Sequence, residues 1–181
     1  MYGIVNKAIQ GLVTENHGEE AWLRVKKVSG VDVDVFLSNE PYDDQITFQL
    51  AQAASEVLGV SLSQVLILFG EYWILKTGRQ EYGSLMEAGG DNLKDFLINL
   101  PNFHSRVMLM FPNLIPPEFR VSEVKDRSMY IHYYSDREGL QDFVVGLLQG
   151  LGKMYDTEVS VTLLEGTHDG LDHDIFSVTW N

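Results

Sequence analysis

Apolar residues recur at helical spacing through the first two-thirds of the chain. Near the N-terminus their period predicts an amphipathic helix that ends at about His17, and a short second helix follows it. Asp44 is in position to N-cap a third helix that Gly59 stops, and Ser61 is in position to begin a fourth. This part of the chain is therefore predicted to be a set of short packed helices.

Glycine and proline divide the segment that follows the fourth predicted helix. Gly78, Gly83 and the glycine pair at 89–90 are predicted to interrupt the chain. Pro101 suits the first turn of a further helix, where a backbone N–H has no intrahelical partner. That helix is expected to run to Met110, before the prolines that follow.

The last third of the chain changes to period-two alternation. Two predicted strands are joined by a turn at 125–127, a helical period occupies 140–155, and two more predicted strands follow. The four predicted strands are 119–124, 129–134, 158–164 and 175–180. The order β-β-α-β-β predicts an antiparallel sheet with a helix on it.

Together these elements predict an α+β fold. We expect an N-terminal helical part, about 1–60, packed on a part with the antiparallel four-stranded sheet, about 61–181. At 181 residues the chain is long enough for one domain with a sizeable core. We therefore treat 1–181 as a single domain.

Composition narrows the classes of function. The formal net charge is −13, which argues against binding nucleic acid or an anionic membrane surface. The absence of cysteine excludes disulfides, thiolate metal sites and cysteine nucleophiles. No apolar run suits a signal peptide or a membrane span, so we expect a cytoplasmic protein.

Two short segments are candidates for chemistry. His104 lies on a predicted helix whose apolar face suits either a hydrogen-bonded core histidine or a neutral imidazole that ligates a metal or haem iron. In Tyr133-x-Ser135-x-Arg137, strand alternation places two hydroxyls and a guanidinium on one face. Such a face can hold carboxylates, although a solvated strand end fits the same pattern. A haem would use both segments, because its iron takes an imidazole and its two propionates take donors.

These segments belong to a longer ordered set of motifs. The set comprises the opening Met1-Tyr2-Gly3-Ile4-Val5-Asn6-Lys7, Phe69-Gly70-Glu71-Tyr72-Trp73, the His104 helix, Phe111-Pro112 with Pro116-Pro117, Tyr133-x-Ser135-x-Arg137, Gly146-Leu147-Leu148, and Asp172 to Ser177. Over essentially its whole length the chain resembles the haem nitric-oxide/oxygen-binding (H-NOX) domains, which are related to the haem domain of soluble guanylate cyclase.

The resemblance implies one haem b buried between the two parts of the fold. His104 would be the axial iron ligand, and Tyr133, Ser135 and Arg137 would hold the propionates. Pro117 matches a proline that presses on the porphyrin and bends it. The rest of the implied haem pocket is formed by Met1, Val5, Trp73, Phe143 and Leu147.

The resemblance also implies a function in gas sensing without catalysis. Family members that hold oxygen carry a tyrosine on the helix after the propionate motif, and here that helix offers Phe143 and Leu147 instead. We therefore expect nitric oxide and carbon monoxide to bind, with release of His104 from the iron altering a surface for a partner. By likeness, that partner is a separate histidine kinase or cyclic-dinucleotide enzyme.

Other functions remain open at this stage. An oxygen sensor of the same family would need a donor such as the indole N–H of Trp73. A haem-free interaction module would leave the apolar pocket empty. The acidic segment 165–174, which contains His168 and His173, is expected to be a solvated turn rather than a metal site. No hydrolase elbow or phosphate-binding loop is present.

Overall fold

Helices come first along the chain and strands come last, as the sequence predicts. The computed structural model describes residues 1–110 and 116–181. Its helices are α1 (Gly3–His17), α2 (Glu19–Ser29), α3 (Asp44–Leu58), α4 (Leu62–Tyr72), α5 (Arg79–Glu87), α6 (Leu93–Met110) and α7 (Gln141–Met154). The strands are β1 (Glu118–Ser122), β2 (Ser128–Tyr134), β3 (Val159–Glu165) and β4 (Asp174–Trp180). The predicted motif Phe111-Pro112 lies outside the described residues.

Local capping accounts for several of the helix ends. Ser61 and Gln64 form a reciprocal capping box at the start of α4. Gly59 ends α3 in the left-handed conformation, with φ 69°. The predicted N-cap of α3 is wrong by one residue, because Asp43 accepts the backbone N–H of Gln45 and Asp44 is already helical. The side chain of Asp44 is thereby available for a longer-range contact.

The prediction about the start of α6 is wrong. Pro101 lies inside α6 rather than in its first turn, because Asn92 Oδ1 accepts the backbone N–H of Asp95, 3.0 Å away, and begins the helix earlier. Gly78 and Gly83 do not end a helix, but both mark irregular turns. Trp73–Gly78 is a π-helical turn between α4 and α5, and α5 is kinked at Tyr82, next to Gly83, with φ −128° and ψ 20°.

The four strands form one antiparallel sheet in the order β1-β2-β4-β3. The predicted turn between the first two strands is confirmed, since Lys125 N donates to Ser128 O at 2.8 Å. Along β2 the side chains alternate strictly between a buried and a more exposed face. The buried face of the sheet comprises Phe119, Met129, Ile131, Tyr133, Phe176 and Val178. The sheet therefore has an inner face toward the helices and an outer face.

Buried apolar residues separate into two clusters. The first cluster belongs to α1 to α4 with the loop after α2, and reaches as far along the chain as Phe69. The second lies among α6, α7 and the inner face of the sheet. Trp73 packs against both clusters. The predicted α+β architecture, with a helical part packed on an antiparallel four-stranded sheet, is confirmed.

Helices α4 and α7 approach each other closely at two glycines. A methyl group added to Gly146 would lie 2.1 Å from the carbonyl oxygen of Ile67. A methyl group added to Gly70 would lie 2.3 Å from that of Phe143. Because both obstacles are backbone atoms, no side-chain rotation can relieve them. These glycines therefore fix the distance between the two helices.

Within residues 1–110 and 116–181 no single helix is long and apolar enough to cross a bilayer. Only the segments Asp44–Leu58 and Leu62–Glu87, taken together and bent by 113° where they meet, reach the required length and composition.

We expect Gly146→Ala to lower the free energy of unfolding by about 1–3 kcal/mol, the usual cost of overpacking. Gly83→Ala is the matched control, because a methyl group there meets nothing within 4 Å. It should leave stability unchanged or raise it by up to about 1 kcal/mol. Urea unfolding of the two variants beside the wild type measures both effects. Equal stability of the two variants would contradict the close helix contact.

Candidate functional site

A largely apolar cavity lies between the two hydrophobic clusters. Its walls come from α1, α3, α4, the π-helical turn, α5, α6, the segment before β1, the inner face of the sheet and α7. All of the predicted pocket residues except Ser135 line it: Met1, Val5, Trp73, His104, Pro117, Tyr133, Arg137, Phe143 and Leu147. The fold therefore brings together residues from both ends of the chain. In the sequence, only the resemblance to a known family grouped them.

His104 is positioned by its own helix. Its Nδ1 lies 3.2 Å from the carbonyl oxygen of Leu100, one turn earlier on α6. Because a carbonyl only accepts hydrogen bonds, Nδ1 carries the ring proton and Nε2 keeps its lone pair. Burial lowers the pKa of His104 and outweighs the opposite effect of the Leu100 carbonyl. The neutral imidazole has the tautomer and the lone pair that an iron ligand needs.

Aromatic rings fix the orientation of the His104 imidazole. Its ring centroid lies 5.6 Å from that of Phe103, edge to face, and 5.1 Å from that of Phe119 on β1. Phe119 in turn lies 5.2 Å from the ring of Tyr133 on β2. A continuous row of rings thus joins the imidazole to the predicted carboxylate-binding motif.

The three residues of that motif lie at the end of β2. Tyr133 is buried and lines the cavity, and burial raises the pKa of its phenol despite a hydrogen bond with Ser135. The chain leaves the strand at Ser135, whose hydroxyl accepts the backbone N–H of Arg137 at 3.0 Å. Ser135 is the one predicted site residue that does not line the cavity, and its contacts hold the two residues that do.

Asp44 is a site residue that the sequence reasoning missed. Its carboxylate accepts Arg137 Nε at 2.6 Å and also pairs with the Met1 amine. Burial alone would raise the pKa of Asp44, but these two hydrogen bonds outweigh burial and hold the pKa below its ordinary value. An aspartate 93 positions before an arginine gives no local sequence signal, so only the tertiary structure reveals the pair.

Two phenols in the cavity were also missed. Tyr2 and Tyr82 line it, together with Thr47. The pKa of Tyr82 is raised by burial and by the charge of Glu81, so its phenol stays protonated and able to donate. Tyr82 comes from the kinked helix α5, and no local sequence signal indicates that this helix reaches the cavity.

The donor set of the cavity fits a haem. Apolar walls suit the porphyrin, a single neutral imidazole suits the iron, and the end of β2 offers a phenol, a hydroxyl and a guanidinium to carboxylates. Within residues 1–110 and 116–181 the ring of His104 has no hydrogen-bond partner besides Leu100. An imidazole nitrogen without a hydrogen bond in an apolar cavity costs free energy unless a ligand binds to it.

The Asp44–Arg137 pair predicts a pH dependence of stability. A carboxylate with a lowered pKa in the folded protein stabilises the fold above its unfolded pKa, and this contribution is lost as the pH falls through the folded pKa. We expect Asp44→Asn to lower the melting temperature at pH 7, with the difference from wild type shrinking as the pH falls below about 4 and disappearing only below the lowered pKa of the folded protein. Asp43→Asn keeps a capping side chain and should melt like the wild type at pH 7. A difference for Asp44→Asn that persists unchanged at low pH would contradict the pairing.

Comparison with solved structures places this fold beside H-NOX proteins. A crystal structure of an H-NOX protein from S. oneidensis in the Fe(II)NO ligation state superposes with a TM-score of 0.88 at 17% identity, covering 100% of this chain and 99% of that one. The Fe(II) unliganded H-NOX protein from K. algicida gives a TM-score of 0.84 at 24% identity, covering 100% and 97%. At these identities the likeness establishes the fold.

Curated relatives include soluble guanylate cyclases of Caenorhabditis elegans. Gcy-31 is 28% identical over 100% of this chain and 26% of its own length, and gcy-32 is 30% identical over 90% of this chain and 24% of its own length. The chain therefore spans about a quarter of the length of these cyclases. The family model described as Haem-NO-binding matches residues 2–163. The chain belongs to the haem-NO-binding, or H-NOX, family of haem-based gas sensors, as its sequence motifs indicate.

Proposed function

We propose that this chain senses nitric oxide, and also binds carbon monoxide, at a haem b whose iron is ligated by His104. The observation that supports this most directly is the imidazole itself. It lines the apolar cavity with Nδ1 tied to Leu100, which leaves Nε2 unprotonated and unpaired among the described residues. A haem held there would supply an iron able to bind the gas. The chain contributes binding and conformational change and performs no catalysis.

Tyr133, Ser135 and Arg137 hold the two haem carboxylates in this proposal. Asp44 keeps the Arg137 guanidinium in a fixed direction through its Nε, and Ser135 fixes the backbone of Arg137. Arginine carries five N–H donors in a rigid planar group, and the hydrogen bond to Asp44 uses only the donor on Nε. Pro117 lies in the same cavity wall, where its ring can press on the porphyrin.

Discrimination among gases follows from the apolar wall on the α1 and α7 side. Phe143 and Leu147 line the cavity from α7 and Val5 lines it from α1. None of these side chains offers a hydrogen-bond donor. Bound oxygen gains much more from a donor than nitric oxide or carbon monoxide does. We therefore expect the two latter gases to be bound stably and oxygen not to be.

Release of His104 from the iron would let a structural change spread from α6 to the rest of the fold. The N-terminal half of α6 is anchored by buried Phe96 and Leu97 in the second cluster, whereas Leu109 near its end is 83% exposed. A released imidazole would free the C-terminal half of α6 to shift against β1. Helices α1 and α3 contact the same cavity through Val5 and Phe48, so a change there can reach the helical part. Such a two-state change would alter the surface read by a partner, a separate histidine kinase or cyclic-dinucleotide enzyme.

One observation favours an oxygen sensor as the second candidate. The Tyr82 phenol lines the cavity and keeps its proton, and the Trp73 indole N–H is a further donor in the wall. If either donor reaches the gas, oxygen gains the hydrogen bond that α7 does not provide. The two candidates share the same cavity, so they differ only in which side chains face the gas.

Removing the proposed iron ligand tests the cofactor site. We expect His104→Gly to be purified without haem, or with a Soret band displaced from that of the wild type, because α7 and the sheet offer no second imidazole to the cavity. Added free imidazole should restore the wild-type band by filling the space. His168→Asn is the control, since His168 is exposed and pairs with Asp169. An unchanged Soret band in His104→Gly would refute the ligand assignment.

An absorption titration of the ferrous protein with each gas separates the two sensor candidates. We expect new, stable Soret bands with nitric oxide and carbon monoxide, and oxidation rather than a persistent oxygenated spectrum in air. If an oxygenated spectrum does persist, Tyr82→Phe and Trp73→Phe identify the donor by its loss. Persistence in the wild type and its loss in one of these variants would establish the oxygen sensor instead.

A further inference from the structure

A chain of four polar side chains crosses the outer face of the sheet, on the opposite side from the cavity. The Ser122 hydroxyl lies 2.7 Å from His132 Nε2. His132 Nδ1 lies 2.9 Å from His173 Nε2. His173 Nδ1 lies 2.6 Å from Asp172 Oδ1. The chain joins β1, β2 and the residues just before β4, and the proposed gas-sensing function does not use it.

We propose that His132 and His173 form a two-imidazole binding site for a divalent transition-metal cation of the Zn²⁺ class. Imidazole is the side chain that Zn²⁺, Cu²⁺ and Ni²⁺ share as a ligand. The two inner nitrogens face each other directly, and each ring is held on its outer nitrogen by a different group. The remaining positions of the cation are left to water, because residues 1–110 and 116–181 contain no group of three or more histidines and carboxylates arranged around a cation.

The outer partners match those of metal-ligating histidines. A ligating imidazole typically donates its second ring N–H to a carboxylate, carbonyl or other acceptor, which fixes its tautomer and orientation. Asp172 accepts from His173 Nδ1, which leaves His173 Nε2 unprotonated. Ser122 can either donate to or accept from His132 Nε2, because a hydroxyl does both. The pair therefore already has its supporting contacts.

Binding requires a change of tautomer at His132 and a small rotation of the two rings, so that both lone pairs point at one cation. Without a cation, His132 Nδ1 donates its proton to His173 Nε2. If the proton resides on His132 Nε2 instead, it is donated to the Ser122 oxygen, and both inner nitrogens present lone pairs. No net proton is released from the two neutral rings. The nitrogens then need to separate from 2.9 Å to about 3.3 Å, the spacing set by Zn–N bonds of about 2.0–2.1 Å in tetrahedral geometry.

Electrostatics and access are compatible with this site. Burial, His173 and Arg120 lower the pKa of His132, so its ring is neutral at pH 7. Arg120 is the nearby cation, and its charge is paired with Glu118 at 2.6 Å and stacked over the ring of Tyr134. The side chain of His173 is 15% exposed, and the face carries no covering helix among the described residues. A small hydrated cation can therefore reach the pair from solvent.

Calorimetric titration of the haem-containing protein with ZnCl₂ tests the site. We expect one saturable site in the wild type, and a loss of affinity of at least about ten-fold in His132→Gln and in His173→Gln. Ser122→Ala removes only a supporting contact and should weaken binding by about ten-fold or less. His168→Asn is the matched control, because His168 belongs to the same C-terminal loop and also pairs with a carboxylate. Its affinity should equal that of the wild type.

A second readout distinguishes ligation from a loss of fold. In NMR spectra of ¹⁵N-histidine protein, Zn²⁺ should shift the ring nitrogens of His132 and His173 and move the His132 proton to Nε2, while those of His168 stay unchanged. Far-ultraviolet circular dichroism of each variant checks that the sheet is intact. The proposal is overturned by the absence of saturable Zn²⁺ binding. It is equally overturned by wild-type affinity in both glutamine variants. Neither result bears on haem binding through His104.

Discussion

The contact between two separate hydrophobic clusters is the constraint on which the rest of this structure depends. The helical cluster and the sheet cluster do not close fully against each other, and the cavity lies between them. Trp73 packs against both clusters, and the glycines of α4 and α7 set how closely the two sides approach. Any change in the relative position of the clusters therefore changes the cavity, and filling the cavity biases that position. This reciprocity is what a ligand-controlled switch requires.

The polar groups of the cavity are few, and the two most important for a haem are each held by a neighbour. His104 is tied to its own helix through Leu100, and Arg137 is tied to Asp44. In an apolar surrounding an unheld polar group is costly and poorly oriented. At His104 the contact with Leu100 leaves Nε2 to a ligand. The cavity thus combines apolar walls with a few polar side chains whose orientation is fixed.

The sheet separates two kinds of chemistry. Its inner face is apolar and ends at Tyr133, next to the cavity. Its outer face carries His132, adjacent in sequence but opposite in direction, because successive side chains of a strand alternate. Two adjacent residues of one strand, Tyr133 and His132, therefore belong to the proposed haem site and to the proposed cation site. The separation of the two sites by the sheet allows each to be tested without disturbing the other.

Local signals in the sequence suffice to predict the order of elements, the α+β class and the family, because helical and strand periods, caps and ordered motifs can all be recognised without the tertiary structure. The sequence also identified His104 and the motif from Tyr133 to Arg137 as candidates. Tertiary structure alone decided that Asp44 meets Arg137 and that Tyr82 reaches the cavity. It likewise decided the contact between His132 and His173. The physical reason is the same in each case: these contacts join residues far apart in the chain or depend on packing, and neither leaves a periodic trace in the sequence.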